Sequence, residues 1–219
     1  MLMTPTGQNY GTLEGAYNHF NKAVFGGALP NCLITVQRHK GAYGYFSSDR
    51  FGRVGSSTET TDEIAMNPMH FNGRSIEQTL STLVHEMVHL WQHRFGKSSR
   101  TAYHNKQWAD KMREVGLIPS DTGAPGGKET GQKMSHYIAT EGAFERACNV
   151  WLKENPSVLY HDRMSDEDAI AKRKKKAASK TKYLCLGCGD TAAWGKPDLH
   201  LICGDCECRM ESEQAEGDE

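Results

Sequence analysis

The sequence predicts an α+β protein, a small antiparallel sheet packed on a few helices and followed by a separate metal-stapled module. Three observations predict it. Short β-branched or aromatic runs at residues 33–36, 42–46 and 63–66 stand between turn residues. Apolar positions recur at spacings of three and four across 75–95. Five of the seven cysteines crowd into residues 185–208, four of them in two CxxC pairs. With 219 residues, 37% of them hydrophobic, the chain has the length for one core domain and a small appendage.

Taken in order, residues 12–25 place Leu13, Ala16, Tyr17, Phe20, Val24 and Phe25 at helical spacing, and Gly26-Gly27 stops the pattern. The three strand candidates follow, the last ending before Pro68. The helix over 75–95 buries Ile76, Leu80, Leu83, Val84, Met87, Val88 and Trp91, and Ser75-x-x-Gln78 offers a capping box at its start. Another helix starts near His104, carries Trp108, Met112 and Val115, and ends at Gly116. Residues 120–133, rich in glycine and proline, read as a loop, and a helical pattern resumes over 137–152 through Ala143, Phe144, Ala147, Val150 and Trp151. Ser165-x-x-Asp168 is a cap for a short helix that ends in Lys172, Arg173, Lys174, Lys175 and Lys176, an arrangement of charge that suits the helix dipole.

The net charge of −1 hides an asymmetry. Residues 161–182 hold 8 basic and 4 acidic groups, whereas residues 183–219 hold 2 and 9. The whole chain therefore gives no electrostatic case for nucleic-acid binding; only the short basic stretch does. No stretch reaches the ~18 apolar residues of a membrane span, and residues 1–7 lack the basic and apolar regions of a secretory signal. A cytoplasmic location is expected, or the nucleoid or nucleus if the protein associates with DNA.

The clearest chemistry lies in His85-Glu86-Met87-Val88-His89. On a helix, positions i and i+4 share a face with Cβ atoms about 5–6 Å apart, so both imidazoles reach one ion. Zinc lowers the pKa of water toward ~7 and polarises a carbonyl as a Lewis acid, and Glu86 sits where it can take the water's proton. A catalytic zinc needs a third protein ligand and an open position. His93, at i+8, is ~12 Å along the axis from His85, too far to share the ion. His104 follows a break at Gly96 that lets the chain turn back; Glu141 and His136 are the competitors.

These residues resemble a known family. Ala16-Tyr17 through Phe20-Asn21, then Phe25-Gly26-Gly27 and Leu29-Pro30, are similar to the opening helix and turn of SprT-like metallopeptidase domains. Residues 41–46 resemble their first hairpin, and residues 82–89 their active-site helix. The family has a third histidine after fourteen intervening residues, which matches the step from His89 to His104. Many relatives have glycine next; this chain has Asn105. The resemblance implies a zincin-like fold over residues 8–158, with His85, His89 and His104 as ligands of a catalytic zinc and Glu86 as general base. The family includes the Spartan-type DNA–protein crosslink proteases, which implies a protein substrate held on DNA and a repair setting. His136 and Tyr137 follow the flexible loop and are candidates for stabilising an oxyanion or lining the substrate cleft.

Cys185, Cys188, Cys203 and Cys206 supply four thiolates in two knuckles, a saturated tetrahedral set that marks a structural zinc and a ribbon over 183–208. So small a module needs the metal to fold. Cys208 breaks the knuckle spacing and is left as a spare thiol. The expected layout is completed by a basic linker or short helix over 159–182 and a disordered acidic tail over 209–219. The expected cofactors are two zinc ions, one catalytic and one structural. The expected partners are a protein substrate and DNA through the 172–182 basic run, with no membrane contact and a monomeric state. The competing class is a non-catalytic DNA- or protein-binding factor built on a metallopeptidase fold; an intact Glu86 argues against it, because a scaffold has no need of the carboxylate.

Overall fold

The structure is a computed structural model that describes residues 4–100, 103–155, 159–163 and 180–212. The chain divides into two compact units, residues 1–163 and 164–219, and is mixed α+β with four α-helices among the described residues. The capped helix expected from Ser165, the basic run at 172–176 and the tail beyond Ser212 lie outside those residues. No helix among the described residues is long and apolar enough to cross a membrane.

Helix α1 (Pro5–Phe25) starts well before residue 12 because Thr4 caps it. The Thr4 hydroxyl accepts from the Gly7 amide at 3.2 Å, and Pro5 fills a first-turn position that needs no donor. The helix ends at Gly26, whose φ of 65° is left-handed. Asn21 then clasps the turn, donating to the Leu29 carbonyl at 2.9 Å and accepting from the Leu29 amide at 3.0 Å.

Strands β1 (Leu33–Val36), β2 (Gly44–Gly52) and β3 (Thr60–Met66) form a sheet in the order β1-β3-β2. The sheet is mixed, which corrects the expectation of an antiparallel one: β2 pairs antiparallel to β3, but β1 pairs parallel to it. Val36 and Gly44 both lie opposite Met66, so β1 and β2 run in opposite directions with β3 inserted between them. β3 takes the centre because Ile64, Ala65 and Met66 are its fully buried end.

Helix α2 (Ile76–Phe95) has the expected capping box, with Ser75 and Gln78 exchanging bonds at 3.2 and 3.1 Å. Leu80, Leu83, Val84, Met87, Val88 and Leu90 bury completely against the sheet and the other helices. Each such burial contributes roughly 1.5–3 kcal/mol, which fixes the rotation of α2 and therefore the direction of its polar stripe. Helix α3 (Lys106–Glu114) is capped by Asn105, whose Oδ1 accepts from the Trp108 amide at 3.0 Å and from Gln92 of α2 at 2.7 Å. Asn105 thus ties α3 to α2.

The pattern read as helix over 137–152 divides in two. Strand β4 (Leu117–Ser120) pairs antiparallel with β5 (Ser135–Ile138), and helix α4 (Ala143–Glu154) starts only after a turn at Gly142. Phe144 of α4 stacks on Phe20 of α1 at 5.2 Å between ring centroids. The unit does not close at residue 158. Leu159 packs on the core, and the Tyr160 amide donates to Asn9 at 3.0 Å.

Among the described residues of the second unit, four strands, β6 (Thr181–Cys185), β7 (Ala192–Gly195), β8 (Leu201–Ile202) and β9 (Arg209–Ser212), form a sheet in the order β7-β6-β9-β8. Residues 209–212, expected in the disordered tail, form β9 because Met210 belongs to a small core with Tyr183, Cys185 and Cys203. The strand pairs on both sides, with β6 and with β8.

Candidate metal centres

Rotation of α2 aims His85 and Glu86, 7% and 5% exposed, into a cleft of about 810 Å³. One wall of the cleft is the start of β2, the edge strand, through Tyr43, Gly44, Tyr45 and Phe46. Ser98, Ser99, Arg100, Tyr103, His104 and residues 132–136 line the cleft as well. Gly44 permits the close approach of β2 to α2. A Cβ there would stand 2.9 Å from the Ala65 carbonyl oxygen, 3.1 Å from Thr82 Cγ2 and 3.4 Å from Glu86 Cγ.

His104, just before α3, is brought back beside α2 by a two-way backbone bridge with Gly131, at 2.7 and 3.1 Å. One ring nitrogen each from His85, His89 and His104 lies within 4.8 Å of the others. The indole of Trp108 supports all three rings, with centroids 5.0, 5.5 and 4.3 Å away. His104 Nδ1 donates to the Gly131 carbonyl at 3.1 Å, which leaves a lone pair on its Nε2. That Nε2 faces His89 Nε2 at 3.1 Å, and two ring nitrogens so placed must share a proton or converge on a cation.

Electrostatics favour the ligand form. Burial lowers His85 well below the ordinary histidine range, with His136, His89 and His104 adding to the effect. Burial takes His89 down to about 3, and it lowers His104 as well. Neutral imidazoles are the form that binds metal. Burial pushes the Glu86 carboxyl up to about 8, partly offset by a bond from the Phe46 amide. Three neutral nitrogens and a buried carboxyl fit a divalent ion with an open position, and zinc is compatible with the set.

The remaining expectations fall out differently. His136 lies in the cleft with both ring nitrogens engaged, by His85 Nδ1 at 3.0 Å and by Ser81 Oγ at 2.8 Å. Tyr137 does not line the cleft; strand alternation in β5 turns it to the face opposite His136. Glu141 is exposed at the turn before α4 and is not a ligand candidate. His93 instead falls in a group with Asp49 and Asp62, where Arg94 donates to Asp62 at 2.6 and 2.9 Å. Sequence reasoning missed Ser81, although it stands one turn before His85 on the same face. It also missed Arg74, which donates to Thr82 at 2.9 Å and covers the Tyr43 ring at 4.2 Å.

In the second unit, the sulfurs of Cys185, Cys188, Cys203 and Cys206 lie within 4.8 Å of one another. Cys185 and Cys206 are 3.2 Å apart, and Cys188 and Cys203 are 3.8 Å apart. Backbone amides aim at the sulfurs: Gly187 and Cys188 at Cys185, Asp205 and Cys206 at Cys203, and Cys208 at Cys206. Amide donors of this kind stabilise thiolates, so the donor set fits a saturated, zinc-compatible site. Cys208 stands outside the group, exposed, beside Cys206 over Gly187.

Against known proteins, the model of the SprT-like family matches residues 13–126, from α1 through the three histidines. A Salmonella typhimurium protein described as "uncharacterized protein in mucB 3′ region" is 51% identical over 61 residues. Those residues are 27% of this chain and 80% of that protein.

Proposed function

The chain belongs to the SprT-like family, and on that premise we propose that it is a zinc-dependent metallopeptidase with an HExxH active-site helix and a zincin-like core. The observation that carries the reading is the convergence of His85, His89 and His104 beside Glu86 at the floor of one cleft. These three imidazoles hold the ion. When bound, zinc acts as a Lewis acid that acidifies water and polarises the scissile carbonyl. Glu86 is the general base: it takes a proton from the attacking water and returns it to the leaving nitrogen. In the metal-free protein burial raises its proton affinity. β2 is an edge strand whose start lines the cleft, and an extended peptide adds there as a further strand. Trp108 keeps the ligand rings in register.

The cysteine set of the second unit holds a structural zinc. Family likeness and five consecutive cations at 172–176 support a substrate held on DNA, including crosslinked protein, with the basic run as the DNA contact. The test is zinc content per chain for wild type, His104→Ala and Cys185→Ala. Two zincs in wild type and one lost in each variant are expected. One zinc that survives His104→Ala would leave only the ribbon site and favour the binding-protein alternative.

A further inference from the structure

We propose that His136, itself held by Ser81, is a positioning residue that locks His85 in the tautomer able to ligate metal through Nε2. The inference rests on the reading of His85 as a ligand and deepens it.

Ser81 Oγ lies within reach of two partners, the Gln78 carbonyl at 2.9 Å and His136 Nε2 at 2.8 Å, and we place its one proton on the Gln78 side. Toward His136 Nε2, 2.8 Å away, that oxygen has only lone pairs to offer, so His136 carries its proton on Nε2. A neutral imidazole has one N–H, which leaves His136 Nδ1 bare. His85 Nδ1 stands 3.0 Å from it and must therefore be the donor, since two bare nitrogens at that distance repel. The lone pair of His85 is then on Nε2, available to the group it forms with His89 and His104.

His104 reaches the same state more simply, with Nδ1 donating to a backbone carbonyl that has no alternative role. The acceptor for His85 is another imidazole, which can present either a donor or an acceptor. Ser81 removes that ambiguity. The fold supplies the parts from separate elements: Ser81 and His85 lie one turn apart on α2, and β5 presents His136 through its pairing with β4, where it lies opposite Pro119. In this arrangement the one N–H of His136 points to Ser81.

The experiment uses the full chain with zinc and cobalt(II) as probes. Affinity is read by chelator competition, cobalt coordination by its visible absorption, and folding of the EDTA-treated protein by thermal melting. His136→Leu removes the acceptor and is expected to weaken the histidine site roughly 10–100-fold while the cysteine-held zinc is unchanged. His136→Asn places an amide oxygen where Nδ1 stood and is expected to restore most of the affinity and the cobalt spectrum. Ser81→Ala frees His136 to change tautomer and is expected to fall between them. Leucine and asparagine variants that bind cobalt as tightly as wild type would overturn the proposal. So would equal losses in both, matched by equal losses in melting temperature, which would make His136 a packing residue. If wild type takes up zinc at the cysteines alone, the ligand reading of His85 fails first, and this proposal with it.

Discussion

Gly44→Ala probes the seam between β2 and α2, on which the placement of Glu86 depends. The new Cβ would sit 2.9 Å from the Ala65 carbonyl oxygen and 3.1 Å from Thr82 Cγ2. Carbon and oxygen settle at about 3.3–3.6 Å, so β2 has to retreat by roughly 0.4–0.7 Å. The oxygen belongs to the backbone of the central strand and cannot turn aside. Overpacking of this kind costs about 1–3 kcal/mol, which at this size lowers Tm by roughly 2–12 °C. The same retreat moves the Phe46 amide that bonds Glu86 and crowds Glu86 Cγ, now 3.4 Å away. A 1 Å misplacement of a catalytic group costs as much as ~100-fold, so a loss of roughly tenfold in kcat/KM is expected at temperatures where the variant is folded. The assays are calorimetry and cleavage of an unfolded protein substrate. Gly26→Ala is the control: its φ of 65° adds left-handed strain of about 1–2 kcal/mol, but a Cβ there meets nothing within 4 Å. It should lower Tm and leave kcat/KM alone. A Gly44→Ala protein with wild-type melting and cleavage would refute the reasoning.

Three further outcomes are expected. Trp108→Ala removes a fully buried indole from beneath three imidazoles, at a cost of about 3–5 kcal/mol, and zinc affinity falls with it; Trp108→Phe keeps a ring there and is milder on both, by calorimetry and chelator competition. In metal-free protein, burial keeps protons off His85, His89 (about 3) and His136 (about 4) and keeps one on Glu86 up to about 8. Between pH 4.5 and 6.5 the unfolded chain therefore binds more protons at these groups and stability rises with pH; above about 7 the Glu86 difference outweighs the fading histidine one and stability falls, so Tm of the first unit in EDTA peaks at about pH 7. A peak near pH 5 would contradict buried neutral imidazoles. With zinc bound, iodoacetamide at pH 8 should label exposed Cys208 first and spare Cys32 and Cys148, whose thiols burial pushes up to about 11 and about 12, as read by peptide mass mapping.

Local signals in the sequence carried some of this architecture and missed the rest for physical reasons. The period of α2, its capping box and the two cysteine knuckles depend on neighbours in sequence, and each appears in the structure as read. The β4–β5 pair was hidden because each strand is only four residues long and the loop at 121–134 separates them. Tyr137 and Ile138 then blended into the helical pattern of α4. The parallel pairing of β1 depends on which strand wins the centre of the sheet, a contest decided by tertiary burial of Ile64 and Met66. In the site, the step from His85 to His89 was legible as helical spacing. The contact of His85 with His136, 51 residues away, was not, since it exists only once β5 lies against α2. Asn105 acquires its reason only in three dimensions, as the cap that joins α3 to α2.

The most direct test of the central claim is cleavage of a DNA-bound protein substrate by wild type and Glu86→Gln at equal zinc content. The account predicts cleavage by wild type and a loss of at least ~100-fold in the variant, with both holding two zincs per chain. Equal rates in the two proteins, or no cleavage by zinc-loaded wild type, would contradict it.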